Sequence, residues 1–168
     1  AMGGPPRAPF SERTSAVWVS SAGCVTPLHF DLCHGLLSQL HGHKRVLLIA
    51  PEHSRSLYRD TGVGVNVNTS PVDLPRWLFG RGADADRHRE LFPQVRSVVG
   101  EVYECVLGPG DTLYTPPFWW HHVTTLGCDP GGGGGAGEMD GGTCSSVSLL
   151  LAFDPTAEES AHPCVDDD

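Results

Sequence analysis

The run Thr26-Pro27-Leu28-His29-Phe30-Asp31 sets an imidazole and a carboxylate two residues apart. Side chains two apart on a β-strand share a face, so His29 and Asp31 stand side by side if this segment is extended. On the inner face of a barrel they supply two members of a 2-His-1-carboxylate triad, the ligand set that holds Fe(II) and leaves positions open for a cosubstrate and oxygen. A second stretch can bring the third member. Between Gly108 and His122 a Pro-Gly-Asp turn feeds the short run Thr112-Leu113-Tyr114-Thr115. The cluster Pro116-Pro117-Phe118-Trp119-Trp120 then delivers a histidine, His121 or His122, into the next extended segment. The two tryptophans are expected to wall the site off from bulk water.

Ligands so remote in sequence need a scaffold that folds them together. Strand-like pattern covers Ala16 to Ser20, Pro27 to Asp31, Arg45 to Ala50, Val98 to Leu107, Thr112 to Thr115, His121 to Leu126 and Ser145 to Phe153. Helical pattern is confined to short pieces near His53 to Arg59 and Asp86 to Phe92. Many short strands punctuated by Gly and Pro predict an all-β fold, a jelly-roll or double-stranded β-helix, with no βαβ alternation. At 168 residues the chain fits one domain. Its expected layout is an N-terminal flank over 1–15, a catalytic domain over 16–154 and an acidic tail over 155–168. The glycine-rich stretch 130–142 is read as a loop inserted in that domain, because it cannot bury enough apolar surface to offset its ordering entropy. The opening Ala1-Met2-Gly3-Gly4-Pro5-Pro6 reads as a cut edge or engineered scar, which makes a longer parent protein the expectation.

Net charge is −9 with histidine neutral. A domain this acidic lacks a broad basic surface for a phosphate backbone, so nucleic acid is a poor partner and a basic polypeptide a better one. Cys24, Cys33, Cys105, Cys128, Cys144 and Cys164 are scattered without a Cys-x-x-Cys pair. They are read as reduced thiols of an intracellular protein, cytoplasmic or nuclear. No apolar run approaches the roughly 20 residues of a membrane span.

Four motifs occur in one order: Thr26-Pro27-Leu28-His29-Phe30-Asp31, then Gln39-x-x-Gly42-x-Lys44, then Asn68-x-Ser70-x-Val72-Asp73, then Pro109-Gly110-Asp111-x-Leu113-Tyr114-x-Pro116-x-x-Trp119-Trp120-His121. Together, over about Val17 to Phe153, they resemble the JmjC oxygenases, and within them the small cupin-like subgroup that includes the asparaginyl hydroxylase of hypoxia-inducible factor. The resemblance implies His29, Asp31 and His121 as iron ligands, with His122 turned to the other face of its strand. It also implies Lys44 as the cation that grips the far carboxylate of 2-oxoglutarate, with Thr26 as a hydroxyl donor beside it. An inward lysine in an apolar barrel needs such an anionic partner. Ser148 falls where relatives carry Asn or Ser near the cosubstrate. Two positions depart from the pattern: Gly35 stands where many relatives have asparagine, and Leu150 where close ones have tryptophan. His34, His41 and His43 share no focus and are read as surface residues, while Tyr103 and Tyr114 are left out of the site.

The implied activity is a dioxygenase that consumes O2 and 2-oxoglutarate, releases succinate and carbon dioxide, and hydroxylates a protein side chain or demethylates an N-methyl lysine or arginine. Competing readings are a non-catalytic jelly-roll that binds peptide in an aromatic groove, a tRNA-base hydroxylase, disfavoured by the charge, and a hydrolytic metal cupin, which has no use for Lys44.

Overall fold

The computed structural model describes residues 9–59, 68–128 and 145–160. In chain order its strands are β1 (Ala16–Ser21), β2 (Val25–Phe30), β3 (His34–His41), β4 (His43–Ile49), β5 (Tyr103–Leu107), β6 (Thr112–Thr115), β7 (Trp120–Gly127) and β8 (Ser145–Phe153). They form two four-stranded antiparallel sheets, ordered β1-β8-β3-β6 and β2-β7-β4-β5. Consecutive strands alternate between the sheets early in the chain, as a jelly-roll requires. The glycine-rich stretch 130–142 and the terminal acidic run lie outside the described residues.

β3 had no counterpart in the sequence pattern. Its inward positions are Gly35, Leu37 and the fully buried Gln39, too mixed in polarity to show an apolar alternation. The side-chain amide of Gln39 donates to the carbonyls of His41 (2.6 Å) and Gly42 (3.1 Å) and to Ser146 Oγ (2.8 Å), and its oxygen accepts from Ser148 Oγ (2.7 Å). One buried amide thereby fixes the β3–β4 turn against β8. Gly42 completes that turn at φ 69, where an added Cβ would lie 2.8 Å from the Ser145 carbonyl oxygen.

Between β4 and β5 the described residues 50–59 and 68–102 form an excursion from the sheet, touching it again only through the bridge of Thr69 to His29. This excursion holds 3-10 helices at Pro51–Leu57 and Pro93–Glu101, flanking α1 (Leu74–Phe79) and α2 (Ala83–Leu91). The strand expected from Val98 therefore begins only at Tyr103. Val95 and Val98 are fully buried from a helix, and a short β-branched run does not reveal that difference. α1 starts at Asp73, whose carboxylate accepts from the Arg76 amide at 3.0 Å. It ends under Arg89 of α2, whose guanidinium donates to the carbonyls of Trp77 and Gly80.

The excursion covers the outer face of the second sheet. Leu28 and Phe30 of β2, Leu47 and Ile49 of β4 and Trp120 of β7 pack there against Leu57, Leu74, Trp77, Val95 and Val98. A smaller apolar cluster, Val46, Leu48 and Leu107, sits between the sheets. The flank is also engaged. Phe10 bridges Phe153, and the Ser11 amide donates to the Ala152 carbonyl at 2.8 Å. A last short helix, α3 (Ala157–Ser160), follows β8. Among the described residues no helix is long and apolar enough to cross a membrane. Cys24, Cys33 and Cys105 are free thiols, whereas Cys128 is disulfide-bonded, so the expectation of reduced thiols does not hold for it.

Candidate metal centre and its cavity

β2 and β7 pair with His29 directly opposite His121, but the register slips by one residue between Thr26 and His29. This bulge at Pro27 and Leu28 has a specific effect. In a regular strand Thr26 and His29 would point to opposite faces; the extra residue brings both to the inner face. It also accommodates a proline, which cannot donate to the ladder.

Three donor groups converge there. His29 Nε2 lies 3.9 Å from Asp31 Oδ1, and His121 Nε2 lies 3.7 Å from Asp31 Oδ2. The two imidazole rings are 4.1 Å apart, and one ligand atom from each residue falls within 4.8 Å of the others. Both rings are held in the same way. His29 Nδ1 lies 2.8 Å from the Pro27 carbonyl and His121 Nδ1 3.0 Å from the Trp119 carbonyl. A carbonyl only accepts, so each Nδ1 carries the proton and each Nε2 presents its lone pair to Asp31's side of the cavity. The backbone of Asp31 is fixed too, its carbonyl accepting from the Phe118 amide at 2.8 Å. Burial, and then the neighbouring His29, push the His121 pKa down to about 4; the charge of Asp31 offsets only part of this. The imidazole is thus neutral near pH 7, the state in which it can ligate a metal.

The triad lines a cavity of about 240 Å³ between the sheets, shared with Thr26, Lys44, Thr115 and Trp18 among others. Lys44 lies on the inner face of β4 and is only 6% exposed. Its register partner on β7 is Thr125, while Leu48, four residues along β4, faces His121. The lysine's strand position is therefore roughly 13 Å from the metal cluster, at about 3.3 Å per residue. Burial lowers the pKa of Lys44, and among the described residues no carboxylate pairs with it. A buried ammonium that meets no carboxylate among the described residues, at the wall of a cavity, suits an anionic ligand.

Ser148 is not on the cavity wall. Its hydroxyl is buried and committed to Gln39, and Leu150, two residues on, lines the cavity instead. Gly35 faces that leucine: an added Cβ would sit 3.4 Å from Leu150 Cδ1. The two departures from the family pattern are thus one apolar patch. Trp119 packs with the inner cluster, but Trp120 points the other way, fully buried under the excursion with its indole N–H donating to Ser54 Oγ at 2.9 Å. Of the two consecutive tryptophans only Trp119 is on the inner side, where it packs with that cluster; the tryptophan that lines the cavity itself is Trp18. His122 shares Trp120's face and is 4% exposed, so it is covered by the helices and not by solvent. Its pKa is lowered, chiefly by burial. His34 pairs with Tyr114 and Glu159, and His41 lies 3.7 Å from Cys128 Sγ, both away from the cavity. Sequence reading missed Thr14, Trp18 and Thr115. Thr115 was recoverable, since it alternates with Leu113 on the same strand.

Residues 5–148 match the Cupin-like domain family, and the chain belongs to it, as a cupin-like JmjC domain. It is 38% identical over 106 residues to Jumonji C domain-containing protein 5 of Drosophila melanogaster, covering 63% of this chain and 23% of that one. It is 36% identical over 110 residues to Lysine-specific demethylase JMJ30 of Arabidopsis thaliana, covering 65% and 22%. A third relative, tRNA wybutosine-synthesizing protein 5 of Danio rerio, is 32% identical over 113 residues, covering 67% and 29%. The chain spans under a third of the length of these relatives.

Proposed function

We propose that this chain is the catalytic jelly-roll of a 2-oxoglutarate-dependent dioxygenase that oxidises a protein side chain, in the cytoplasm or nucleus. One observation carries the reading: two imidazoles with their Nε2 atoms freed by backbone carbonyls, beside a carboxylate, in a cavity that is also lined by Lys44, whose ammonium meets no carboxylate among the described residues. The donor set of two nitrogens and one oxygen, from His29, His121 and Asp31, suits ferrous iron, which these three side chains would hold. Bound there, iron supplies the activation of O2 that couples decarboxylation of 2-oxoglutarate to insertion of oxygen into a C–H bond.

The chain's own residues have defined tasks. His29, Asp31 and His121 hold the metal. Lys44 neutralises the remote carboxylate of the cosubstrate, and the Thr26 hydroxyl donates to it. Gly35, Leu37, Leu113, Val123 and Leu150 keep the space around the cosubstrate apolar and exclude water from the reacting centre. For each C–H hydroxylated, one O2 and one 2-oxoglutarate become succinate, carbon dioxide and the alcohol. On an N-methyl group the same hydroxylation leads to loss of formaldehyde, so hydroxylase and demethylase differ only in the carbon presented. A net charge of −9 supports a polypeptide substrate over a tRNA.

The test is succinate formation from 2-oxoglutarate with ferrous iron, ascorbate and oxygen. Iron-dependent succinate that disappears in His29→Ala supports the reading. Tight peptide binding without any turnover supports the non-catalytic module instead.

A further inference from the structure

The wall that β3, β6 and β8 present to the cavity has a gap in it. Gly35, Leu37, Leu113, Thr115 and Leu150 line that wall, and of these only Gly35 has no side chain to fill its share of the space. Gly35 is buried in a regular part of β3, paired with Thr115 on one side and Ala152 on the other, and its φ is not in the left-handed region that would call for glycine. A Cβ built there meets Leu150 Cδ1 at 3.4 Å and Thr115 Cβ at 3.9 Å, both ordinary contacts. The gap is therefore the size of one methyl group, with an apolar lining. Its place along the barrel follows from hydrogen bonds. Gln39, further along β3, holds the Gly42 carbonyl just before Lys44, so Gly35 stands roughly 13 Å from the lysine's end at about 3.3 Å per residue. Thr115 belongs to the metal end as well, because the Phe118 amide shortly after it donates to the Asp31 carbonyl at 2.8 Å.

We propose that Gly35 is a specificity-determining position: it admits a 2-oxo dicarboxylic acid that carries a methyl group on the carbon next to the keto group, with that methyl seated against Leu150 and Thr115. The proposal rests on the oxygenase reading and widens the class of cosubstrate it uses. An acid held at the metal by its keto end and at Lys44 by its far carboxylate lies along the cavity, and the carbon next to the keto group then lies towards the metal end, where the gap is. A methyl group there occupies the volume that an alanine side chain at position 35 would take. Ligand methyl and protein methyl therefore exclude each other. One methyl group in an apolar pocket changes affinity about tenfold or more, so a single buried hydrogen in place of a side chain is enough to set the preference.

The probes are 2-oxoglutarate and racemic 3-methyl-2-oxoglutarate, titrated by calorimetry under argon into the chain loaded with Mn(II), which occupies the site without turnover. The wild type is expected to bind the methyl acid no more than threefold more weakly than the parent. In Gly35→Ala with unchanged circular dichroism, the affinity of the methyl acid relative to the parent is expected to fall at least tenfold. A second variant works in the other direction and does not depend on the first one folding. Leu150→Ala enlarges the gap, and the 3-ethyl homologue should gain at least fivefold relative to 2-oxoglutarate. A methyl acid bound more than threefold more weakly by the wild type, a relative affinity unmoved in folded Gly35→Ala, or no gain for the ethyl acid in Leu150→Ala would overturn the assignment. Because binding is read without oxygen, it is separate from turnover. Selectivity set by Gly35 without succinate formation by the iron-loaded chain defeats the oxygenase reading and leaves the specificity position. Succinate formation by a wild type that rejects the methyl acid does the reverse, and failure of both acids to bind defeats both.

Discussion

The two faces of the sheet β2-β7-β4-β5 do opposite things with neighbouring residues. Inward stand His29, Asp31, His121, Lys44 and Val46; outward stand Leu28, Phe30, Trp120, Leu47 and Ile49. The inner face borders a cavity, and the outer face is covered by Leu57, Val72, Leu74, Trp77, Val95 and Val98. A barrel that must keep its centre open for ligands cannot use that centre as its core. Apolar burial is moved to the outer face, where each fully buried large side chain contributes about 2–3 kcal/mol. Function and stability are thus separated by a single step along each strand.

Substitution one residue apart breaks the comparison most directly. Asp31→Ala removes the carboxylate of the metal cluster, and iron-dependent succinate formation should fall to the no-enzyme background while circular dichroism stays that of the folded chain. Trp120→Ala, next to the candidate ligand His121, should do the converse. It empties the largest fully buried side chain and strips Ser54 of its indole donor, at a cost of about 3–5 kcal/mol in urea unfolding. If Trp120→Ala is neutral in stability, the outer face is not the principal core.

The alternation that separates the faces is also what made part of the molecule legible. β6 and β8 run over the very residues where the period-2 pattern predicted them, and His29 and Asp31 share a face because they are two apart. The bulge was not legible: nothing local distinguishes Thr26 three residues before His29 from Thr26 on the wrong face. The choice between His121 and His122 came from motif resemblance, and strand alternation alone would allow either. Ser148 was misplaced because an inward serine in a strand reads identically whether it meets a ligand or the amide of Gln39. The excursion was underestimated because its 3-10 turns and six-residue α1 are too short to develop a helical period, and their burial depends on a sheet face formed by distant sequence.

Gln39, on the inner face of the other sheet, tests whether the interior has a stabilising part of its own. Gln39→Leu keeps the volume but deprives two carbonyls and two serine hydroxyls of their partner. Buried polar groups left unsatisfied predict a loss of about 2–4 kcal/mol, read by urea unfolding. A smaller loss than this would mean that the β3–β4 turn is held by Gly42 and the strand ladder alone.

Lys44 gives the smallest effect and the one whose sign is most informative. Burial lowers its pKa from the ordinary 10.5, so the unfolded chain binds this proton more tightly than the folded one. In the window between the lowered value and 10.5 the unfolded state carries more protons, and stability must rise with pH; below that window the dependence is flat. Lys44→Met abolishes that rise and, by removing an unpaired buried charge, should stabilise the metal-free protein at neutral pH by roughly 1 kcal/mol. A carboxylate bound at Lys44 holds the ammonium charged. Saturating 2-oxoglutarate should therefore suppress the alkaline rise in the wild type and leave Lys44→Met unchanged, as followed by urea midpoints from neutral pH to 10.5. A rise that persists with the ligand present would place the cosubstrate's far carboxylate on some other group, and the ammonium's part in the cavity would then be structural.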